Sequence, residues 1–471
     1  MRIIDLKIGK KVLMFFILVL YQLIALFIVC CRNLSYEAMS IISIAQLAIN
    51  TVMLRGLLAL PIFSVPNMFA FFSLIFHCGQ LIKKGLNIKG TVPLPFENYA
   101  NSEVIHKAFA FYLFAQLAIM IGVGLSLSKR SNSIAFRNTW QNIIKIDGTV
   151  YGKALLIIGC LPRIYIDTQT LVGAMNGGYE GVYSIYIPQA VQSLAFFFDA
   201  GLIIWLCTTK KRRRQRLVFF LVILYKCIMM STGARQEKVA FLVIWIYVYC
   251  FVISKINFTK IVLLGVATAG GFVFISAISL IRGSGSMGFQ QTVAFLQSGT
   301  MTNIIGSALG EFGAAFNTLE VAVRYVPKHI AYGYGKSYIA GCISVIPLIV
   351  NQIPSLADAV VFLNQLPKRI TFAFGGSYLG ELYYNFSWVG LIGCIYCGLV
   401  LGKLHTGISN NQKEVNIYQS WCAIVSTAMV LFVRGYFTDM VQKLVWTYFF
   451  IYLLSLYFRW REKRTQSEGK S

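Results

Sequence analysis

Long apolar runs broken by short polar stretches set the pattern of this chain. A membrane-crossing helix needs about 20 apolar residues. Twelve stretches approach that length: 12–31, 38–54, 62–82, 107–128, 150–166, 184–207, 217–233, 236–254, 261–281, 386–404, 417–434 and 440–458. Only Arg55 to Pro61 separates the second from the third. The first run, Val12–Val29, follows Arg2, Lys7, Lys10 and Lys11 in the manner of a signal peptide. No small-residue cleavage site follows it, so the pattern predicts a retained first helix. The expected fold is all-α, a polytopic bundle of about twelve spans, with both termini on the same side.

One interval breaks the rhythm. Residues 282–385 hold no full span, and a structureless loop of that length is improbable. Ile304–Tyr325 has helical character, and Ser337–Val350 is apolar but too short to cross, which predicts a re-entrant or interfacial helix. Three parts follow: a nine-span bundle over 1–281, a large external segment with short helices over 282–385, and a three-span part with a basic tail over 386–471.

Composition agrees. The 471 residues are 57% hydrophobic and 13% charged, about half the charge of a soluble domain. The formal charge of +25 is scattered between spans, which argues against nucleic acid as a partner. It follows instead the excess of basic residues in cytoplasmic loops. Lys129/Arg130/Arg137/Lys145, the run Lys210-Lys211-Arg212-Arg213-Arg214-Gln215-Arg216, Lys255/Lys260 and Arg459–Arg464 all fall on one side when the N-terminus is placed inside. The run at 210–216 reads as an anchor for anionic membrane lipids.

Against that background six arginines stand out: Arg163, Arg235, Arg282, Arg324, Arg369 and Arg434. Each falls at or beyond a span end on the opposite, non-cytoplasmic side. A single one reads as a snorkelling interfacial charge. Together they suggest a polyanion, because guanidinium forks fit phosphate oxygens bidentately. Gly233, Gly283 and Gly435 beside them allow close backbone approach to a ligand. External carboxylates are few: Asp167, Glu180, Glu237, Glu311, Glu320, Asp358, Glu381 and Asp439. Glu320 and Arg324, four apart, fit an ion pair on one helix face. Glu381 enters the tenth span, where a carboxylate needs a partner or a role.

Two charges fall inside spans, Asp199 in the sixth and Lys226 in the seventh. A hairpin centred on 210–216 puts them at equal depth, about 12–14 Å above the inner helix ends at 1.5 Å per residue. A lone charge there is costly, so they are expected to pair.

Signatures of soluble nucleotide chemistry, zinc peptidases and serine hydrolases are absent, as is the D-x-D of metal-dependent sugar-nucleotide transferases. Four histidines, with His77 and His405 at spans or their ends, predict no histidine metal site. Most of the eleven cysteines lie in apolar runs, and the Cys394-x-x-Cys397 pair has no second pair. No metal or cofactor is expected.

The stretch Gly376-Ser-Tyr-Leu-Gly-Glu-Leu-Tyr-Tyr-Asn-Phe-Ser-Trp-Val-Gly390-Leu resembles the signature of bacterial oligosaccharide repeat-unit polymerases, the Wzy-type O-antigen polymerases. Thr232-Gly233-Ala234-Arg235 and Tyr334-Gly335-Lys336-Ser337-Tyr338 are similar to other recurring segments of that family. Arg324…Gly335 and Arg369…Gly380 repeat an Arg-x₁₀-Gly spacing associated with outer loops of some members. The chain departs from many members at Ile346-Pro347, where Leu348 follows instead of an arginine. The resemblance implies that two polyprenyl-diphosphate-linked glycans meet at the outer face of the plasma membrane. A sugar hydroxyl of the incoming unit attacks the anomeric carbon of the growing chain, and polyprenyl diphosphate leaves. It implies diphosphate binding by the six arginines and proton transfer by Glu381, Glu311, Asp167 or His329, in that order. A chain-length regulator in the same membrane is an expected partner. A flippase or transporter, and the related O-antigen ligase, are the competing readings.

Overall fold

The structure is a computed structural model that describes residues 2–30, 33–90, 100–128, 148–230, 232, 236–254, 301–346, 349–366, 375–409 and 417–468. Every regular element among them is helical. In chain order these are α1 (Arg2–Cys30), α2 (Tyr36–Leu58), α3 (Val65–Gly85), α4 (Ser102–Ser128), α5 (Gly148–Ser184), α6 (Gln189–Thr208), α7 (Arg212–Met230) and α8 (Gln236–Tyr247), which a π-helical turn at Val248–Ile253 extends. Next come α9 (Met301–Phe312), α10 (Ala315–Tyr325), α11 (Lys336–Ile343), α12 (Ile349–Gln352) and α13 (Pro354–Val360). The last are α14 (Tyr378–Phe386), α15 (Leu391–Ser409), α16 (Ile417–Phe432) and α17 (Phe437–Glu468).

Seven segments are long and apolar enough to cross a membrane: Tyr36–Leu58, Val65–Gly85, Ser102–Leu127, Gly148–Asn176, Ala190–Thr208, Tyr378–Ser409 and Phe437–Arg461. Leu13–Phe27 and Ile417–Phe432 are shorter apolar helices. The expected ninth span, 261–281, lies outside the described residues. Among the described residues the protein is all-helical and holds seven such segments, and a count of twelve is not established.

Glycines bring the helix backbones together. A Cβ on Gly122 of α4 would stand 2.0 Å from the Ile395 carbonyl oxygen of α15, and one on Gly398 would stand 2.0 Å from that of Ile119. A Cβ on Gly159 of α5 would meet the Phe198 backbone nitrogen of α6 at 2.2 Å. Small residues serve in this way where lipid removes the hydrophobic drive between helices.

Two expectations change. The fifth apolar run ends at 166, yet α5 continues to Ser184. Hydropathy falls there, but helix formation does not stop, so Arg163 and Asp167 sit mid-helix rather than at an end. The tenth span begins with a fold-back. At Ser387 the backbone turns (φ 51°, ψ −137°), and a Cβ on Gly390 would lie 2.8 Å from the Leu382 carbonyl oxygen. Thus α14 and α15 form a hairpin, with Tyr378 beside Ser73 midway along α3 and Trp388 beside Phe111 and Phe114 of α4. Glu381 lies on this half-helix, which runs outward from Tyr378 beside Gln116 to Tyr383 beside Phe111.

The described part of 282–385 packs onto the bundle rather than standing clear of it. A Cβ on Gly79 of α3 would be 2.7 Å from the Leu309 carbonyl oxygen of α9, and every α10 residue from Ala315 to Val323 is buried. Ile304–Tyr325 is two helices broken at Gly313, and the apolar stretch 337–350 contains α11, a turn and the start of α12.

Candidate functional site

Alternation of the helices puts the ends near Cys30, Gly85, Ser184, Met230 and Phe432 on one face of the bundle. Two adjoining cavities open between these ends. The first, about 310 Å³, is lined by Arg163, Thr170, Gln192, Asp199, Glu237, Lys238 and Lys443 together with apolar neighbours. The second, about 440 Å³, is lined by Gln192, Glu237, Gly376, Arg434, Gly435, Asp439 and Lys443 among others. Gln192, Glu237, Leu431 and Lys443 belong to both, so the two form one charged concavity.

Two of its four lining cations, Arg163 and Lys443, carry their own counterions. Arg163 Nε donates to Asp167 Oδ2 (3.1 Å) and to the Tyr225 hydroxyl (3.0 Å), and its Nη2 lies 2.9 Å from Asp167 Oδ1. The Tyr225 hydroxyl donates to the same carboxylate. Lys443 donates to Glu237 across the junction of the two cavities. Lys226, buried behind the wall, donates to Asp199 at 2.5 Å, with its Nζ 4.6 Å from the Phe241 ring centre. The pairing expected from the hairpin is present.

Lys238 is different. It is buried against the first cavity and has no ion-pair partner among the described residues. Arg434 enters the second cavity alongside Gly375, with its guanidinium carbon 5.8 Å from the Phe76 ring centre. A Cβ on Gly376 would stand 2.5 Å from the Gly435 carbonyl carbon, so the two glycines let the turn holding Arg434 meet the start of α14.

Of the six arginines, Arg163 and Arg434 line this concavity. Arg324 is exposed on the last turn of α10, its guanidinium carbon 5.4 Å from the Tyr325 ring centre, and lines neither cavity. Arg235, Arg282 and Arg369 lie outside the described residues. The expected Glu320–Arg324 pair is absent. Glu320 is fully buried, and neither carboxylate oxygen has a hydrogen-bond partner among the described residues, because the amphipathic α10 turns that face inward.

The four expected proton carriers do not gather. Asp167 stands behind Arg163 and lines neither cavity. Glu311 is half-buried on α9, and His329 is exposed with its ring centre 5.4 Å from that of Tyr325. Glu381 is 1% exposed: Oε1 accepts from Ser337 Oγ (2.6 Å) and Oε2 from the Phe437 N–H (2.8 Å). Asn385 extends the network, donating to Ser337 Oγ (2.8 Å) and accepting from the Gly335 N–H (2.9 Å). Glu381 thus ties α14 to α11 and to the first turn of α17. The carboxylates that do line the concavity are Asp199, Glu237 and Asp439. The first two are committed to lysines. Asp439 is exposed and accepts from the Tyr436 N–H at 3.3 Å.

Sequence reasoning missed Lys238, Lys443 and Asp439 as site residues. The two lysines lie near helix starts on the face opposite the basic loops. That placement was their signal.

The family model described as O-antigen polysaccharide polymerase Wzy matches residues 12–461, nearly the whole chain. No curated protein and no solved structure matches it.

Proposed function

We propose, since the chain belongs to the O-antigen polysaccharide polymerase Wzy family, that its charged concavity binds the diphosphate of a polyprenyl-linked glycan at the outer face of the inner membrane. The observation that carries this reading is Lys238, a buried cation with no ion-pair partner among the described residues, facing the same concavity as Arg434. The start of α14 at Gly376 adds the positive end of a helix.

That placement supports the glycosyl transfer that membership of the family implies. The hydroxyl oxygen of the acceptor sugar attacks the anomeric carbon of the growing chain. The bond from that carbon to the diphosphate oxygen breaks, and the electron pair leaves with polyprenyl diphosphate. Lys238 and Arg434 stabilise the negative charge that grows on the leaving oxygens. Asp439 takes the acceptor proton, being the lining carboxylate with no lysine bound to it. Glu381 is a positioning residue, because it fixes the first turn of α17 from which Asp439 projects. The glycosidic bond forms without a nucleotide donor. The substrates, orientation with both termini in the cytoplasm, and contact with a chain-length regulator belong to the same proposal.

A surface-polysaccharide gel of a strain lacking the gene tests it. A lipid core carrying a single repeat unit is expected. A core with no repeat unit overturns the polymerase reading in favour of ligase or flippase. In the complemented strain Lys238→Ala and Arg434→Lys are each expected to cut polymer yield by at least about tenfold, the latter because charge remains but the bidentate fork is lost.

A further inference from the structure

A second cavity on the same face has no residue in common with the charged concavity. It measures about 350 Å³ and is lined by Asn33 and Leu34 after α1, by Glu103, His106 and Lys107 of α4, and by Trp388 at the tip of the α14–α15 hairpin, among others. Glu103, His106 and Lys107 are spaced i, i+3 and i+4, so one face of α4 presents them together.

The walls are fixed. His106 Nε2 accepts the Leu34 N–H at 2.7 Å, while its Nδ1 donates to the Ser102 carbonyl oxygen at 2.6 Å. The imidazole therefore straps the connection between α1 and α2 to the start of α4. Trp388 is held edge-on by Phe111 (5.5 Å between ring centres) and Phe114 (6.0 Å), yet stays 36% exposed. Lys107 Nζ lies 6.0 Å from the Tyr383 ring centre, and Glu103 is exposed at the rim.

The chemistry differs from that of the first site. One carboxylate, one ammonium and one amide surround an indole. No excess of positive charge favours a phosphate. Mixed donors and acceptors beside an aromatic surface suit a polyhydroxylated ring, whose C–H face stacks on the π-system while its hydroxyls take the polar groups. The volume falls within the range of about 300–1,000 Å³ found for small-molecule sites.

The fold links the two sites. Gly376, in the charged concavity, directly precedes the cap of α14, and Trp388 directly follows its far end. Nine residues at 1.5 Å each make α14 about 14 Å long. The two ends of this buried helix, one at each cavity, therefore stand about 14 Å apart, a separation that an oligosaccharide spans.

We propose that the Trp388 cavity is a carbohydrate subsite that holds sugars of the lipid-linked glycan remote from the reacting bond. This rests on the polymerase reading, but its test does not. The probe is the repeat-unit oligosaccharide, freed from its lipid diphosphate by mild acid and titrated into the purified full-length protein with saturation-transfer NMR as the readout. Wild type is expected to bind. Trp388→Ala and the exposed-rim change Glu103→Ala are expected to weaken binding at least tenfold. Trp388→Tyr, which keeps an aromatic face, is expected to retain most of it and guards against misfolding. Arg434→Ala is expected to leave binding of this diphosphate-free probe unchanged. Equal binding by wild type, Trp388→Ala and Glu103→Ala overturns the subsite. So does competition by phosphatidylethanolamine vesicles but not by oligosaccharide, which assigns the cavity to a lipid headgroup. A gel that still shows polymer in the deletion strain defeats the polymerase reading instead, and leaves the titration to be judged by itself.

Discussion

Asp199 and Lys226 meet at 2.5 Å with almost no solvent access, so each protects the other from an uncompensated charge. Loss of one partner from such a pair costs about 3–5 kcal/mol, whereas replacing both with apolar groups is often neutral. Asp199→Ala and Lys226→Ala are each expected to lower the yield of folded protein by size-exclusion chromatography. The double variant Asp199→Leu with Lys226→Met is expected to recover part of it, and additive losses would contradict the pairing. Glu381 makes a different test. A glutamine there still accepts from the Phe437 N–H and donates to Ser337 Oγ, so Glu381→Gln is expected to keep at least half of the polymer yield. Glu381→Ala leaves a buried N–H without an acceptor, at about 1–3 kcal/mol. An inactive but stable Glu381→Gln variant would make this carboxylate the base after all. Glu320, on α10 outside the spanning helices, has no hydrogen-bond partner among the described residues, and burial pushes its carboxyl well above the usual range. A group raised in this way penalises the folded state once pH exceeds the unfolded value of about 4.3. Glu320→Gln is therefore expected to raise the melting temperature at pH 8, with a gain that shrinks towards pH 4. A gain independent of pH would refute the assignment.

At the level of elements, the apolar pattern located α2, α3, α4 and α6 to within a few residues, because a membrane span needs length and apolarity and little else. It failed where helices carry polar residues or turn back on themselves. The extension of α5 past Asp167 has no apolar signature, and the reversal at Ser387 depends on one backbone conformation that no periodicity announces. The glycines were visible in the sequence, but which helix each one admits was not. Gly398 sits against Ile119, while a Cβ on Gly56 meets nothing within 4 Å. Gly398→Ala is accordingly expected to destabilise the α4–α15 contact by about 1–3 kcal/mol. Gly56→Ala should leave thermal unfolding within about 0.5 kcal/mol of wild type. Equal effects at both sites would mean that α4 and α15 are not in backbone contact.

For the whole molecule, membrane character was legible from end to end, since it is spread over hundreds of residues, whereas the family resemblance rested on separate segments between about Arg163 and Asp439. The site was legible only in part. Charge sidedness grouped Arg163 and Arg434, and both line the concavity, but convergence is a property of distant segments: Lys238 comes from the start of α8, and Asp439 and Lys443 come from the start of α17. The sidedness can be tested directly. In a cysteine-free background, Tyr186→Cys, at a 73% exposed position, is expected to react with an impermeant maleimide on intact spheroplasts. Lys211→Cys is expected to react only after lysis, and the reverse pattern would invert the topology. The counterions inside the concavity bear on turnover as well as binding. In the proposed reaction, a pocket whose four basic side chains, Arg163, Lys238, Arg434 and Lys443, were all unmatched would be expected to hold departing polyprenyl diphosphate more tightly than the intact lipid-linked glycan, and to stall on that by-product. With Asp167 and Glu237 already engaging Arg163 and Lys443, the proposed reaction is expected to release that by-product faster than a pocket of unmatched cations would.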